Sequence, residues 1–271
     1  MTPKPAHLED PLFDRTRILV GDAGVDRLSR SHVLVAGLGG VGSFAVEALA
    51  RAGVGALTLI DHDQVDASNL NRQLVALRST VGQDKTAVMA RRIADINPNC
   101  RLRVATEFLA EDGMEQALSE PFDQVIDAID SLGSKVALIE TAWRLGRPIL
   151  SSMGAGGRMD PTRVQVGDLM ETRVCALARE VRTRLRRRGL GRGITVVWSD
   201  ETPIPPLAPQ NTGRGRPRAV NGTLSYMPSI FGLTLAGLAI RRLLEDIPEP
   251  SATEWKSRDC LIIHAASGFP S

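Results

Sequence analysis

A short apolar run that passes directly into glycines is the feature that most limits how this chain can fold. Residues 32–36, HVLVA, are followed at once by Gly37, Gly39, Gly40 and Gly42, and residues 43–51 then have helical character. Glycines in a GxGxxG pattern between a buried strand and a helix let the backbone approach phosphates, and the start of the helix supplies unpaired N–H groups. The sequence therefore predicts a nucleotide-binding strand–turn–helix unit.

An acidic residue closes the next predicted strand. Asp61 follows the apolar run 56–60 and lies 19 residues after Gly42, where a carboxylate can hydrogen-bond a ribose hydroxyl. These features alone fit a nicotinamide-dependent dehydrogenase at least as well as an ATP-using enzyme. Tight packing of a helix on a strand is the purely structural alternative.

Strand-like and helix-like segments alternate up to about residue 152. We expect strands at 32–36, 56–60, 101–106, 124–129 and from 148, and helices at 43–51, 85–96 and 134–145. Such alternation is typical of a parallel sheet with helices on both faces. The predicted fold class is α/β, with a Rossmann-like, doubly wound and mostly parallel sheet over residues 13–170.

The pattern changes in the C-terminal extension, residues 171–271, which we expect to complete the same fold. Apolar residues at helical spacing predict an arginine-rich amphipathic helix over 176–188, and strands are expected at 163–166 and 194–198. Residues 202–222 are rich in Pro, Gly and Arg, which predicts a mobile loop. An apolar helix is expected at 228–243.

Composition excludes several classes of protein. The net charge of +2 over 271 residues is too small for a nucleic-acid-binding protein defined by overall charge alone. The apolar run 230–240 is shorter than the roughly 20 residues that cross a bilayer, and the N-terminus has no apolar signal segment. Cys100, Cys175 and Cys260 are isolated, so we expect no disulfide framework and a reducing cytoplasm, with no membrane partner.

A polar run after the second strand separates the two nucleotide chemistries. Residues 61–73 read DHDQVDASNLNRQ, and Lys85 follows twelve residues later. Hydride transfer has no obvious need for these groups. An adenylating enzyme must hold a triphosphate, stabilise charge that develops between the α-phosphate and pyrophosphate, and place Mg²⁺. Because the chain has only four lysines against 29 arginines, Lys85 is not generic use of a basic residue.

These motifs carry a family resemblance. GLGGVGS (37–43), DHDQVDASNLNRQ (61–73), Lys85 and AIDS (128–131) resemble, in this order, the HesA/MoeB/ThiF group of ubiquitin-activating-enzyme-like adenylyltransferases. The resemblance implies an ATP-binding adenylation domain at 13–170, with ATP and Mg²⁺ as cofactors. It implies that the four glycines and Asp61 bind the nucleotide, with Asp63 beside them, and that Asp130 helps to hold Mg²⁺. The implied triphosphate contacts are Asn69, Arg72, Gln73 and Lys85, and the implied catalytic set is Arg72, Lys85 and Asp130.

The resemblance also implies a homodimer in which an arginine near the N-terminus reaches the partner's ATP. Arg15 and Arg17 are the candidates, and we include Arg17 among the expected nucleotide-binding residues. A plain surface arginine is the alternative. For Asp130 the alternative is an acid favoured by the N-terminus of a helix.

Two features favour one branch of this group. Three isolated cysteines cannot form the four-thiolate zinc site that many protein-activating members carry. GAGGRMDPTRVQVGDL (154–169) and FDQVIDAIDS (122–131) resemble the tRNA threonylcarbamoyladenosine dehydratases. This resemblance implies that the threonyl carboxylate of the tRNA nucleoside is adenylated and that the nucleoside's ureido group then closes a ring and expels AMP.

Arginines supply the matching charge for a tRNA partner. Residues 179–192 contain seven arginines and one glutamate, and Arg179, Arg182 and Arg186 fall on the predicted outer face of the helix. Arg214, Arg216 and Arg218 add a second basic stretch. A solvated helical face is the alternative interpretation.

Other functions remain open at this point. The first is activation of the C-terminus of a ubiquitin-like sulfur-carrier protein, and the second is a catalytically inactive nucleotide-binding scaffold. Whether a sulfur-relay protein assists the dehydratase is left open by the sequence.

Overall fold

A seven-stranded sheet forms the centre of the molecule. The computed structural model describes residues 10–106, 113–210 and 218–246. The strands are β1 His32–Ala36, β2 Ala56–Ile60, β3 Arg101–Ala105, β4 Gln124–Asp127, β5 Ile149–Ser152, β6 Val164–Asp168 and β7 Thr195–Ser199. Their order is β3-β2-β1-β4-β5-β7-β6, and every pairing is parallel except that of β6 with β7. The predicted α/β class with a mostly parallel sheet is confirmed.

Helices cover both faces of this sheet. They are α1 Asp14–Arg30, α2 Gly42–Ala52, α3 Lys85–Ile96, α4 Met114–Ala117, α5 Leu132–Arg144, α6 Ala176–Arg187 and α7 Tyr226–Leu243. Apolar side chains of α2, α3 and α7 form one buried cluster, and those of α4, α5 and α6 form a second. Successive β1 residues alternate between the two clusters, with Val33 in the first and Leu34 in the second, as the pleat of a strand requires.

The prediction of a strand over residues 124–129 is wrong at its C-terminal end. β4 stops at Asp127, whose carboxylate accepts a hydrogen bond of 3.0 Å from the backbone N–H of Ile129. A side chain that bonds the backbone two residues ahead offers the chain an alternative to the sheet ladder. The chain therefore leaves the sheet at Asp127 and turns towards α5.

The elements beyond residue 170 belong to the same body as those before it. β7 pairs with β5 in the central sheet, and α7 joins the same buried cluster as α2.

The range 202–222 contains more regular structure than the predicted loop. β8 Leu207–Gln210 and β9 Arg218–Val220 form a two-stranded antiparallel ribbon. Each strand of such a ribbon is an edge, so Pro209, which has no N–H to donate, is tolerated there. The composition of this range therefore did not indicate the ribbon. Residues 211–217, with Arg214 and Arg216, lie outside the described residues, as do residues 247–271 with Cys260.

The apolar helix α7 packs closely against the start of α2. A Cβ atom on Gly232 would stand only 2.1 Å from the carbonyl oxygen of Val41, so the two segments approach at a distance that only glycine permits. Phe231 and Leu235 on the same helix are fully buried. Within the described ranges, no helix is both long enough and apolar enough to cross a membrane.

Two glycines on α7 provide a matched test of this packing. Gly232→Ala should lower the free energy of unfolding by about 1–3 kcal/mol, because an added methyl group has to push α2 and α7 apart. Gly237→Ala adds the same methyl group on the open side of the helix, where nothing lies within 4 Å, and should raise it by roughly 0.5–1 kcal/mol. Urea unfolding of both variants measures the difference, and effects of the same sign would contradict the packing described.

Candidate nucleotide-binding site

The candidate site lies where the strand order of the sheet reverses. β1 has β2 on one side and β4 on the other, so successive crossovers leave in opposite directions at this point. In doubly wound sheets, ligands bind in the crevice at the carboxyl ends of the strands beside such a switch point. The segments that follow β1, β2 and β4 all carry predicted site residues.

Each glycine of the GxGxxG pattern has a different steric environment in the glycine loop. Gly37 has a φ of 92°, and a Cβ on it would stand 2.7 Å from the carbonyl oxygen of Ala128. A Cβ on Gly42 would stand 1.7 Å from the carbonyl oxygen of Gly37. At Gly39 the nearest protein atom would be 3.8 Å away, so the protein itself leaves room for a side chain. Gly39 is thus the position where a bare backbone suits the approach of an external group such as pyrophosphate.

The fourth glycine, Gly40, faces the C-terminal helix. A Cβ at this position would lie 3.1 Å from the Cβ of Pro228 and 3.3 Å from the carbonyl oxygen of Arg72. The loop is therefore held between α7 and the polar run that follows β2.

Asp61 holds the glycine loop from the end of β2. One carboxylate oxygen accepts a hydrogen bond of 2.6 Å from the backbone N–H of Leu38, and the other accepts one of 2.8 Å from that of Asp63. Each carboxylate oxygen has a second lone pair, so the group can still accept bonds from ribose hydroxyls. The structure gives Asp61 a positioning role in the loop that sequence reasoning did not include.

Lys85 is buried between two carboxylates. It is the first residue of α3, and its amine lies 2.9 Å from Asp63 and 4.0 Å from Asp61. The residue is only 5% exposed, which excludes a solvated helical lysine. The backbone N–H of Lys85 also donates to the carbonyl oxygen of Asp63 at 3.1 Å, so the start of α3 is fixed to the segment after β2.

The predicted triphosphate contacts Asn69 and Gln73 are both buried near the glycine loop. The Asn69 side chain accepts a hydrogen bond from the backbone N–H of Asp66 and forms a capping box with it, so its amide is partly used in local structure. The Gln73 amide nitrogen lies nearest to the open position at Gly39, and its Oε1 is buried with no hydrogen-bond partner in the described part of the chain. A buried polar atom without a partner marks a place that a ligand or water would complete.

Arg72 and Asp130 influence each other across the site. Burial lowers the pKa of the half-buried Arg72 guanidinium, and the carboxylate of Asp130 acts in the opposite direction and raises it. One Arg72 nitrogen, Nη1, donates to the carbonyl oxygen of Ser68 at 2.9 Å and to the side chain of Asn71 at 3.0 Å. Asp130 is exposed in the turn between β4 and α5. In such an arrangement the partly desolvated guanidinium of Arg72 is suited to bind a phosphate, and the exposed carboxylate of Asp130 is suited to bind the metal ion of that phosphate.

A second buried lysine lies directly behind this turn, and the sequence analysis missed it. Lys135 on α5 is fully buried, and its amine lies 2.6 Å from Asp127 and 2.9 Å from the carbonyl oxygen of Ser152. The Ser151 hydroxyl donates to the same Asp127 oxygen at 2.5 Å. The Asp127 carboxylate also accepts a hydrogen bond from the backbone N–H of Ile129, and the backbone N–H of Lys135 donates to the carbonyl oxygen of Ser131. The backbone is therefore bonded on both sides of Asp130. The scarcity of lysine that drew attention to Lys85 is the signal that could have identified Lys135.

The N-terminal arginines are in different environments. Arg17 has a side chain that is only 13% exposed and forms ion pairs of 2.6 Å with Asp14 and 3.0 Å with Asp22. The side chain of Arg15 is exposed and forms no hydrogen bond or ion pair within the described ranges. The structure therefore engages Arg17 within its own chain and leaves the side chain of Arg15 the more available of the two.

The predicted tRNA-binding arginines are also used differently. Arg182 donates to the carbonyl oxygen of Thr172 at 2.7 Å and to its hydroxyl, so it fixes α6 to the preceding turn. Arg179 is exposed and lies 3.8 Å from Glu180. Arg186 is exposed and, with Arg182, lines a surface cavity.

Three side chains after β2 are close enough together to ligate a metal ion, but the amine of Lys85 already faces two of them. Ligand atoms of Asp61, His62 and Asp63 all lie within 4.8 Å of one another. The amine of Lys85 occupies the space beside both carboxylates, which disfavours a divalent ion there. The exposed carboxylate of Asp130 has the better setting for Mg²⁺, which takes oxygen ligands and keeps several waters.

These features define a Rossmann-like nucleotide-binding protein with a glycine loop, a loop-fixing acid and a buried lysine at the switch point of the sheet. Residues 13–261 match the ThiF family, and the chain belongs to that family. It is 42% identical over 242 residues to the tRNA threonylcarbamoyladenosine dehydratase of Bacillus subtilis, which covers 87% of this chain and 95% of the relative.

A solved structure supports the same relationship. The crystal structure of the E. coli tRNA N6-threonylcarbamoyladenosine dehydratase in complex with ATP matches with a TM-score of 0.78 and 39% identity, covering 86% of this chain and 93% of that one. The sulfur carrier protein ThiS adenylyltransferase of E. coli is a more distant relative, 32% identical over 53% of this chain and 59% of its own length.

The buried pair behind the Asp130 turn can be tested by stability. Lys135→Met keeps the length of the side chain but leaves Asp127 charged and unpaired in the interior, which should lower the free energy of unfolding by about 3–5 kcal/mol. The double variant Lys135→Met/Asp127→Asn removes both charges and retains an acceptor for Ile129, so it should recover most of the loss. Denaturant unfolding measures both, and a double variant as unstable as the sum of the single variants would contradict the pairing.

Proposed function

We propose that this chain is an ATP-dependent tRNA threonylcarbamoyladenosine dehydratase. The observation that carries the proposal is the grouping at one sheet edge of a glycine loop, a lysine buried between carboxylates, and the guanidinium of Arg72, whose pKa is lowered by burial and raised in opposition by the carboxylate of Asp130. Such a group suits adenylation of a carboxylate better than hydride transfer, because it concentrates cations where phosphate charge develops. The high identity to dehydratases along almost their whole length supports the same reaction class.

The nucleotide would lie along the glycine loop. In this proposal the backbone at Gly37, Gly39, Gly40 and Gly42 faces the phosphates, and Asp61, which already fixes the loop at Leu38, accepts hydrogen bonds from the ribose hydroxyls. Asp63 acts by holding the amine of Lys85. The side chains assigned to the triphosphate are Asn69, Arg72, Gln73 and Lys85.

The proposed reaction has two steps. A carboxylate oxygen of the threonyl group bonds to the α-phosphorus of ATP, and the bond from that phosphorus to pyrophosphate breaks. A nitrogen of the ureido group of the same nucleoside then attacks the activated carbonyl carbon, loses its proton and expels AMP. The oxygen lost from the nucleoside leaves on AMP, so the net change is the loss of one water. The second step needs no nucleophile from the protein, because both reacting groups belong to one substrate and profit from proximity.

Arg72, Lys85 and Asp130 are the proposed catalytic residues. Lys85 and Arg72 bind phosphate oxygens and stabilise the charge that grows on them, and they are fixed in advance by Asp63 and by the carbonyl oxygen of Ser68. We assign to Asp130 the binding of Mg²⁺, which when present would neutralise charge on the leaving pyrophosphate.

The remaining partners follow from the same assignment. A homodimer in the cytoplasm is proposed, with Arg17 or the more available Arg15 reaching the partner's nucleotide. The arginines Arg179, Arg182 and Arg186 are proposed to bind tRNA, and a sulfur-relay protein is a possible assisting partner. The main rival is activation of a sulfur-carrier protein, the activity named for the more distant E. coli relative.

The direct test is a nucleoside mass measurement. The purified protein is incubated with ATP, Mg²⁺ and tRNA that carries threonylcarbamoyladenosine. The tRNA is then digested, and the masses of its nucleosides are measured by mass spectrometry. ATP-dependent loss of one water from the modified adenosine is the expected result. An unchanged nucleoside, together with pyrophosphate exchange that depends on a carrier protein ending in Gly-Gly, would replace the proposal with the rival.

The catalytic set gives a second test. Lys85→Ala and Asp130→Asn should each reduce AMP formation by about 10²–10³-fold, because each removes a group that acts on phosphate charge. Arg91→Ala removes an exposed cation from the same helix as Lys85 and should leave the rate unchanged. Circular dichroism checks that the variants are folded, and full activity of either catalytic variant would contradict the site assignment.

A further inference from the structure

A surface cavity of about 540 Å³ lies beside α6, away from the glycine loop. Its walls come from three separate segments: the turn before α6, the outer side of α6 itself, and the turn after it. The lining residues are Met170, Glu171, Thr172, Arg173, Arg182, Arg186 and Arg192. None of the residues assigned to the nucleotide lines this cavity.

The charges that line the cavity are unbalanced. Four guanidinium groups face it against the single carboxylate of Glu171, which pairs with Arg192 at 2.6 Å. Arg182 is engaged by Thr172. The guanidinium groups of Arg173 and Arg186 form no hydrogen bond or ion pair with any residue in the described part of the chain, although the backbone carbonyl oxygen of each accepts a hydrogen bond. Bringing like charges together from three segments is unfavourable unless an anion is bound between them.

The backbone at the edge of the cavity is strained. Val174 has a φ of 64°, a conformation that is unfavourable for a β-branched residue, and it is 52% exposed. The backbone N–H of Cys175 donates to the carbonyl oxygen of Arg173 at 2.6 Å, which closes a three-residue γ-turn of the strained kind around Val174. Thr172 and Cys175 on the two sides are buried. Backbone strain of this kind persists where the surroundings fix it, and it is concentrated at functional sites.

We infer that this cavity is a phosphate-binding site that takes backbone phosphates of the tRNA substrate, with Arg173 and Arg186 as its main ligands. The inference rests on the proposed function, because it names where that function's substrate is held. Arginine is suited to this role because its planar fork donates two parallel hydrogen bonds to one phosphate. Phosphate contacts of this kind fix the position of a nucleic acid without reading its sequence.

The cavity divides the arginines of α6 into two groups. Arg186 faces the cavity, whereas Arg184 and Arg187 are exposed on the same turn of the helix and do not line it. A diffuse basic surface would use all of these residues about equally. A discrete site depends on Arg186 and on Arg173, which lies outside the helix and outside the charge run recognised in the sequence.

Two double variants with the same change in charge distinguish these cases. Arg173→Gln/Arg186→Gln and the control Arg184→Gln/Arg187→Gln are each compared with the unaltered protein in binding tRNA over a range of salt concentrations. At about 0.1 M salt the cavity variant should bind tRNA at least tenfold more weakly, and its slope of log affinity against log salt should fall by about 2. The control should change affinity by less than about threefold, and both variants should keep the thermal unfolding midpoint of the unaltered protein.

Several results would overturn the inference. Equal losses in the two variants would indicate a diffuse field, and no loss in the cavity variant would show that the site does not bind tRNA. Inorganic phosphate is titrated separately, and tight binding of phosphate that tRNA does not displace would assign the cavity to the free anion. If the unaltered protein dehydrates its substrate normally in each of these cases, only the cavity inference fails. If the unaltered protein neither binds nor dehydrates tRNA, the proposed function itself fails.

Discussion

A buried ion pair between Asp127 and Lys135 fixes the turn on which the candidate site depends. Both side chains are fully excluded from solvent, and Asp127 accepts bonds from the lysine, from Ser151 and from the backbone of Ile129. Burying two charges is costly unless each is fully hydrogen-bonded, so this network has few alternative arrangements. The turn that carries Asp130 is therefore rigid at its base, while the Asp130 carboxylate itself remains exposed to solvent.

Local sequence patterns were sufficient to predict the sheet, the glycine loop and most element bounds. Buried parallel strands are read from short apolar runs, and the GxGxxG pattern specifies a turn that few other residues can form, as the contacts of Gly37 and Gly42 demonstrate. The end of β4 and the β8–β9 ribbon were not predicted. The first is set by one side-chain bond from Asp127, and the second by pairing between segments whose composition suggests a loop.

The roles of individual polar residues were harder to predict because they depend on contacts between distant segments. Asp61 and Lys85 were found from their motif, but the bond from Leu38 to Asp61 and the burial of Lys85 are tertiary facts. Lys135 sits in an ordinary helical pattern, and nothing in that pattern shows that Asp127 and Ser151 lie opposite it. Arg17 is an exception, because its ion pairs with Asp14 and Asp22 lie within its own helix, and the family resemblance that assigned it to the nucleotide did not indicate them.

Because α7 packs against the glycine loop, the nucleotide site is complete only after the C-terminal part of the chain has been synthesised. Gly40 rests on Pro228, and Gly232 rests on Val41, so the loop gains its outer wall only from the last described helix. A nascent chain that has emerged through β3 already contains the glycine loop, Asp61 and Lys85, but it lacks β4, the Asp130 turn and this wall. Contacts that join residues so far apart in sequence form late in folding, because the loop between them must first be closed. An incomplete chain on the ribosome would therefore have the signature of an ATP site without the ability to engage the nucleotide.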